Sequence, residues 1–222
     1  MSRIAKEVTL IPLLPEKNWR SDRAIRYLAN QGIDPDIIKI MLDQGRIYES
    51  KHWHDCVFVG LDKQQQTLFG SVQSTGDRAF ARDVDGSVHA CGFRAPSAKE
   101  NSKKLFVFNS PMDLLAKATL DKQGEKGQHW QNVHRLSLSD RHEAGLLSYL
   151  LDYRQIESVT LCLSTDRESQ RVTAKLCDIL LAKKIDVHVK ISTVGQSFSE
   201  QLLATQKEKA RQPSRSHDMA IA

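Results

Sequence analysis

The sequence has no long apolar run, no closely spaced cysteine pair and no hydrophobic segment near its N-terminus. A membrane-spanning helix needs about 18 consecutive apolar residues, so no membrane association is expected. A secretory signal needs an apolar core, so we expect a cytoplasmic protein. The cysteines stand far apart at positions 56, 91, 162 and 177, which favours reduced thiols over a disulfide framework.

Several catalytic signatures are also absent. The chain has no GxxxxGKS/T, GxGxxG, GxSxG or HExxH motif. These absences argue against P-loop enzymes, dinucleotide-dependent enzymes, hydrolases with a nucleophile elbow and zincin-type proteases. An enzyme acting on a small phosphorylated molecule would need a Gly-rich phosphate cradle at a helix N-terminus, and none is visible.

The charge balance is mildly basic. Of 222 residues, 32 are Lys or Arg and 27 are Asp or Glu, which gives a net charge of +5. Such an excess is compatible with an anionic partner such as nucleic acid, but it equally serves solubility.

The first 100 residues predict a small helical and antiparallel-strand module over residues 15–100, preceded by an arm over residues 1–14. Ser21-Asp22 and Asp34-Pro35 are typical helix starts, and Gly32 and Gly45 are typical stops. The predicted strands are Val57–Val59, Leu68–Val72 and a weaker one at Val88–Phe93, with a hairpin loop over residues 62–66 between the first two.

Beyond residue 100 the pattern alternates between strand and helix. Strands are predicted at Leu105–Phe108, Val133–Leu138, Val159–Leu163 and Ile185–Ile191. Helices are predicted to begin at Pro111, Arg141, Arg167 and Phe198. This alternation predicts a parallel sheet flanked by helices over residues 101–208, followed by a disordered tail over residues 209–222.

Two segments that follow predicted strands resemble the acidic motifs of the Toprim domains of primases and topoisomerases. Residues 105–116, LFVFNSPMDLLA, resemble the first motif, and residues 159–169, VTLCLSTDRES, resemble the second. Residues 15–93 are similar to the uncharacterised domain that precedes Toprim in primase-like proteins of bacterial mobile elements such as plasmids. That part includes the run Asp83–Ser87, similar to the family's Gly-Ser signature. The resemblance covers about residues 12–205.

The resemblance implies an α/β fold in which the small module precedes a Toprim-like parallel sheet. It also implies a nucleic-acid protein related to primases or topoisomerases, with Mg²⁺-dependent phosphoryl transfer. Its partners would be single- or double-stranded DNA and replication or mobilisation proteins.

The chain departs from the family at the acidic positions. Asn109 stands where the family has a glutamate, and Ser164 stands where it has the first aspartate of Asp-x-Asp. Only Asp166 remains of the three acids. Because Asn and Ser bind Mg²⁺ far more weakly than carboxylates do, we expect at most weak Mg²⁺ binding and weak or lost catalysis.

Asp166 would be the principal metal ligand and the residue on which any surviving activity depends, with Asp113 as a weaker second ligand. The simpler interpretations are an N-cap for Asp166 and a first-turn helix acid for Asp113.

Arg167, Arg171 and Lys175 fall on one helix face and could follow a phosphate backbone, with Arg78 and Arg82 as weaker candidates. The simpler interpretation is a solvated basic face.

The run His52-Trp53-His54-Asp55-Cys56 contains residue types that bind zinc, and His89 and Cys91 could supply more. Closed zinc sites usually bring two ligand pairs from separate segments, so we do not expect zinc and interpret this run as a surface turn before a strand.

A second functional hypothesis is a non-catalytic interaction module that partners an active primase, relaxase or helicase. Such a module should expose an apolar patch and bind independently of salt, whereas DNA binding should weaken with salt.

Overall fold

The computed structural model describes residues 12–88, 90–124, 127–139 and 143–211. Most of the predicted arm and tail therefore lies outside the described residues. The helices are α1 Asp22–Asn30, α2 Pro35–Asp43, α3 Pro111–Gln123, α4 Glu143–Asp152, α5 Arg167–Ala182 and α6 Phe198–Arg211, with a 3₁₀ helix at Gly127–Asn132. The strands are β1 Ile47–Glu49, β2 Cys56–Leu61, β3 Thr67–Gln73, β4 Ala81–Asp83, β5 Phe93–Ala95, β6 Lys104–Phe108, β7 His134–Ser137, β8 Ser158–Leu161 and β9 Asp186–Val189.

The two N-terminal helices lie where their start and stop signals predict. The Asp34 side chain accepts a hydrogen bond from the Asp36 backbone N–H at 2.9 Å, with Pro35 in the first turn of α2. Gly32 and Gly45 follow α1 and α2 with φ of +85° and +66°, a conformation that favours glycine. Both helix predictions are therefore confirmed.

The first sheet is an antiparallel meander in the order β1-β2-β3-β4. The predicted hairpin between β2 and β3 is confirmed. The Asp62 side chain closes its loop by accepting a hydrogen bond from the Gln66 backbone N–H at 2.8 Å. The short strands β1 and β4 were not predicted, and β4 is largely exposed, so it carries no apolar signal.

The second sheet has the order β5-β7-β6-β8-β9, with β7, β6, β8 and β9 parallel and β5 antiparallel at one edge. Leu105 and Val107 of β6 pack among α4 and α5, while Phe106 and Phe108 pack among α3 and α6. Helices thus cover both faces, which explains the continuous apolar run of β6. The predicted α/β class is confirmed.

The strand predicted at Val88–Phe93 is wrong in its bounds. The strand begins at Phe93, runs to Ala95 and pairs with β7 of the second sheet. Gly92, at φ +64°, turns the chain so close to β7 that a Cβ there would collide with the Ser137 carbonyl oxygen. The sequence pattern could not reveal this approach between segments 45 residues apart.

One hydrophobic core spans both sheets. Phe58 of β2 and Phe93 of β5 meet edge to face with ring centroids 5.4 Å apart. The same cluster includes Met41, Leu114 and Phe198. Helix α6 ends at Arg211. The first three residues of the predicted tail are therefore helical. Within the parts of the chain described, no helix is both long and apolar enough to cross a membrane.

Candidate nucleic-acid interface at the carboxyl edge of the parallel sheet

The strand order places a crevice between β6 and β8. From β6 the chain passes through α3 to β7 on one side, and from β8 it passes through α5 to β9 on the other. Ligands of open α/β sheets bind where adjacent strand connections diverge in this way. Asn109 follows β6 and Ser164 to Asp166 follow β8, so the positions predicted from sequence meet at this point.

A chain of hydrogen bonds crosses the crevice. The Asn109 Nδ2 group donates to Ser169 Oγ at 2.7 Å, and Ser169 Oγ donates to Asp166 Oδ2 at 2.6 Å. Asp166 Oδ1 accepts from the backbone N–H groups of Glu168 and Ser169 at 3.1 and 3.0 Å, which makes Asp166 the N-cap of α5. The Asn109 Oδ1 atom is buried without a hydrogen-bond partner.

Asp113 serves as a tie between two helix starts. Its Oδ2 atom accepts from Ser110 Oγ at 2.8 Å, and Ser110 Oγ caps α3. Its Oδ1 atom accepts from the backbone N–H and the hydroxyl of Ser199, in the first turn of α6, at 3.0 and 2.7 Å. Oδ1 thus joins α3 to α6 beside the crevice, while Oδ2 is held by the N-cap of its own helix.

This donor set does not fit a Mg²⁺ site. Magnesium takes its protein ligands mainly from carboxylate oxygens. The carboxylates of Asp166 and Asp113 each already accept at least three hydrogen bonds from protein groups. Ser164 and Asn109 are neutral and half-buried. Among the described residues there is no group of three His, Cys, Asp or Glu side chains that could hold a metal ion.

The basic stripe of α5 begins beside the crevice, where the helix starts at Arg167. Arg167 and Arg171 are exposed and form no ion pair with any residue the structure describes. Lys175 differs, because its Nζ atom lies 2.7 Å from Glu143 Oε1 at the start of α4. The stripe therefore presents two arginines, with the lysine held against a neighbouring helix.

Arg82 lies on the first sheet, and Arg78 lies in the loop that precedes β4. Arg82 is exposed on β4, 6.0 Å from the Phe80 ring, and Arg78 is exposed in the preceding loop. The neighbouring Asp83 accepts a hydrogen bond from Ser139, just beyond the end of β7. The end of β4 therefore reaches the carboxyl edge of the parallel sheet.

The thiols in the predicted His/Cys group are not exposed. Cys56 and Cys91 are buried, and burial raises the pKa of both thiols, to about 11 for Cys91. His89 lies outside the described residues. The absence of zinc remains an expectation.

Two residues of the site carry roles that the sequence did not show. Ser169 bridges Asn109 and Asp166, and Ser199 donates the hydrogen bonds that tie Asp113 to α6. Ser169 is the last residue of the segment that resembles the second acidic motif, and that position was the available signal for its role.

No protein-family model matches the chain, and no curated protein matches it. Solved structures do. The primase fragment of the bacteriophage T7 primase-helicase protein aligns with a TM-score of 0.55 at 14% identity, over 82% of this chain and 71% of that chain. A DnaG primase catalytic domain bound to ssDNA aligns at 0.55 and 15% identity, over 85% and 69%. The E. coli primase catalytic core aligns at 0.56 and 13% identity, over 86% and 72%. The chain has a primase-like fold.

Proposed function

We propose that this chain, with the fold of a primase catalytic core, is a primase-related nucleic-acid protein of a mobile element that binds DNA with weak or lost phosphoryl-transfer activity. One observation carries the proposal. At the crevice between β6 and β8, a hydrogen-bonded chain of Asn109, Ser169 and Asp166 stands beside the exposed Arg167. The site keeps positive charge for a phosphate backbone but has lost most of its acidic metal ligands.

Catalysis is expected to be weak because the remaining carboxylates hold protein groups. Asp166 caps α5, and Asp113 joins α3 to α6. Binding a metal would require these carboxylates to give up hydrogen bonds that stabilise helix starts. The proposal accordingly assigns them structural roles first.

DNA binding is supported by Arg167 and Arg171, which are exposed on the first two turns of the helix that begins at the crevice. Both are exposed one helical turn apart, so both can face the same stretch of backbone. The ssDNA-bound relative with this fold makes single-stranded DNA the first ligand to test.

The binding test is a titration of the full chain against single- and double-stranded oligonucleotides at several salt concentrations. Each phosphate contact on a single strand contributes about 0.7 to the slope of log K against log salt. Arg167→Gln with Arg171→Gln should weaken binding and reduce that slope by about 1.4. Arg154→Gln with Lys183→Gln, two exposed cations at the opposite end of the sheet, should leave the slope unchanged. An unchanged slope in the first variant would refute the role of α5.

The metal site is tested by restoring its acids. Asn109→Glu with Ser164→Asp should increase Mg²⁺ affinity, followed as amide shifts near Asp166, while the parent chain shows none at low millimolar Mg²⁺. Shifts in the parent chain, or no gain in the variant, would show that the site geometry or the motif alignment is wrong.

A second candidate is a non-catalytic module that pairs with an active primase, relaxase or helicase. It is favoured by the edge strand β9. Val189, the last residue of β9, is 54% exposed, and Ile191 just beyond it is 57% exposed. Val189→Asp would then abolish a complex that is insensitive to salt.

A further inference from the structure

Two tryptophans are almost fully exposed. The exposed fraction is 87% for Trp19 and 79% for Trp53, the two highest values among the large apolar side chains of the described residues. Trp130, by contrast, is only 9% exposed. Because tryptophan is normally largely buried, two such side chains in water call for a ligand-based explanation.

The two tryptophans belong to one surface although 34 residues separate them. The segment containing Trp19 runs alongside the turn containing Trp53, through a β-bridge between Lys17 and Ser50 and a backbone hydrogen bond from Asn18 to Glu49 at 2.8 Å. The Asn18 side chain also lies 3.4 Å from His54 Nδ1. Asn18, next to Trp19, and His54, next to Trp53, thus contact each other and bring the two segments together.

A buried carboxylate fixes both segments. Glu49 is 3% exposed, and its Oε1 atom contacts Asn18 Nδ2 at 2.8 Å and His54 Nδ1 at 2.6 Å. Its Oε2 atom accepts from the backbone N–H groups of Arg23 and Ala24 at 2.7 and 3.1 Å, the start of α1. Burial acts to raise the pKa of Glu49, but these hydrogen bonds outweigh it and lower the pKa. The tryptophans thus extend from a rigid, preorganised base.

The surroundings of the tryptophans are cationic and polar. Arg20 lies 5.2 Å above the Trp19 ring, and Lys17, Arg23 and Lys51 are exposed nearby in the chain. Two of these cations are paired with acids, Arg20 with Asp22 at 2.8 Å and Lys51 with Glu16 at 2.5 Å. Lys17 and Arg23 form no ion pair with any residue that the structure describes, so they are the cations available to a phosphate backbone.

The loop that carries Arg78 reaches the same surface. Thr75 Oγ1 donates to the His54 carbonyl at 2.9 Å, and Gly76 lies against the Arg23 guanidinium. The loop is therefore anchored beside the tryptophans, and Arg78 lies two residues beyond Gly76 in that loop.

We propose that Trp19 and Trp53 form a stacking platform for single-stranded nucleic acid, with the surrounding cations holding its backbone. Aromatic rings among cations are the common device for binding single strands, because every base offers a stacking face. A protein-docking surface would place apolar neighbours around the anchors, whereas the immediate neighbours of both tryptophans are Asn18, Arg20, His52 and His54. The inference rests on the proposed function, since it adds a second contact surface for the same class of ligand.

The test measures binding of oligo(dT) to the full chain at fixed salt, together with tryptophan fluorescence. We expect the oligonucleotide to quench the emission, and expect Trp19→Ala and Trp53→Ala each to weaken binding by about 5-fold or more. Trp19→Phe and Trp53→Phe should lose less, because phenylalanine still stacks. Leu151→Ala, which removes an exposed side chain on α4, is the matched control and should bind like the parent.

The outcomes separate the two proposals. If the parent chain binds no oligonucleotide, the proposed function fails and the platform with it. If the parent binds in a manner that depends on Arg167 and Arg171, but without quenching and unaffected by the tryptophan variants, only the platform is refuted. The platform is likewise refuted if the tryptophan variants no longer bind another protein but still bind the oligonucleotide as the parent does. Unchanged melting temperatures of the Phe variants show that any loss is one of binding.

Discussion

At the residue scale, Asp121 is the side chain that pairs with two buried cations. It accepts from Lys117 Nζ and from Arg135 Nη2, the latter at 2.8 Å, and both cations are almost fully buried. The two cations lie 5.5 and 5.7 Å from the Phe106 ring centroid. Burial lowers the pKa of Lys117 and of Arg135, and Asp121 partly offsets that effect. One carboxylate thus serves as the shared counter-charge of two buried cations.

We expect Asp121→Asn to destabilise the protein by about 3–5 kcal/mol, because it leaves two buried cations without a counter-charge. Urea denaturation followed by circular dichroism measures the change. Asp43→Asn, which breaks an exposed ion pair with Lys39, should cost less than about 1 kcal/mol. Similar losses in the two variants would contradict the role assigned to Asp121.

His134 makes stability depend on pH. It is buried, with Nδ1 2.9 Å from the Tyr149 hydroxyl and Nε2 without a hydrogen-bond partner. Burial lowers the pKa of His134 to about 4, below its ordinary value near 6.5. The unfolded chain therefore takes up this proton more readily than the folded one. Stability is complete above about pH 6.5 and falls as the pH drops toward 4.

We expect the histidine to account for up to about 3 kcal/mol of that loss, since one pKa unit corresponds to about 1.4 kcal/mol. The measurement is the unfolding free energy at pH 7 and pH 4.5 for the parent and for His134→Gln. Glutamine cannot take up the proton, so the variant should lose less stability between the two pH values. An equal loss would show that carboxylates alone govern the acid response.

At the element scale, α5 joins the candidate site to the fold. Its N-cap Asp166 accepts two backbone hydrogen bonds, and its buried Leu176 and Leu180 pack on the parallel sheet. Arg167 and Arg171 are exposed on the same helix, so the cap also orients the basic stripe.

Asp166→Ala should reduce stability by about 1 kcal/mol through loss of the cap. The reduction should be the same in Mg²⁺ and in EDTA, because the proposed role of Asp166 does not involve metal. Thermal melts under both conditions measure it. A loss confined to Mg²⁺-containing buffer would instead establish Asp166 as a metal ligand.

At the scale of the whole molecule, the two sheets share one hydrophobic core. Phe58 of the first sheet contacts Phe93 of the second, and Gly60 of β2 lies so close to Gly92 that a Cβ would collide with its carbonyl oxygen. The domain boundary between residues 100 and 101 remains a prediction. Neither the part before it nor the part after it could bury this interface without the other.

Phe58→Ala should therefore destabilise the entire chain by about 3–5 kcal/mol and preserve a single unfolding transition. Amide NMR signals of β2 and of β6, followed through a urea titration, report separately on the first and the second sheet. Coincident midpoints for the two probes would agree with one cooperative unit. Separate midpoints would show that the module and the parallel sheet unfold independently.

The sequence by itself determined most of the helices and the strands of the parallel sheet. The apolar run of β6 and the caps at Asp34 and Asp166 are local signals, because burial on two faces and an unsatisfied helix terminus each impose a pattern over a few neighbouring residues. The resemblance then indicated which strand ends to compare, and Asn109 and Asp166 do meet there.

Only the tertiary structure decided which segments became partners. The edge position of β5, the short exposed β4, the bridge through Ser169 and the shared surface of Trp19 and Trp53 all depend on contacts between residues far apart in the chain. A local pattern shows that a side chain will be buried or exposed, but not what it will contact. The contacts of Glu49, which fix α1, the turn that contains Trp53 and the segment that contains Trp19, exist only after the chain has folded.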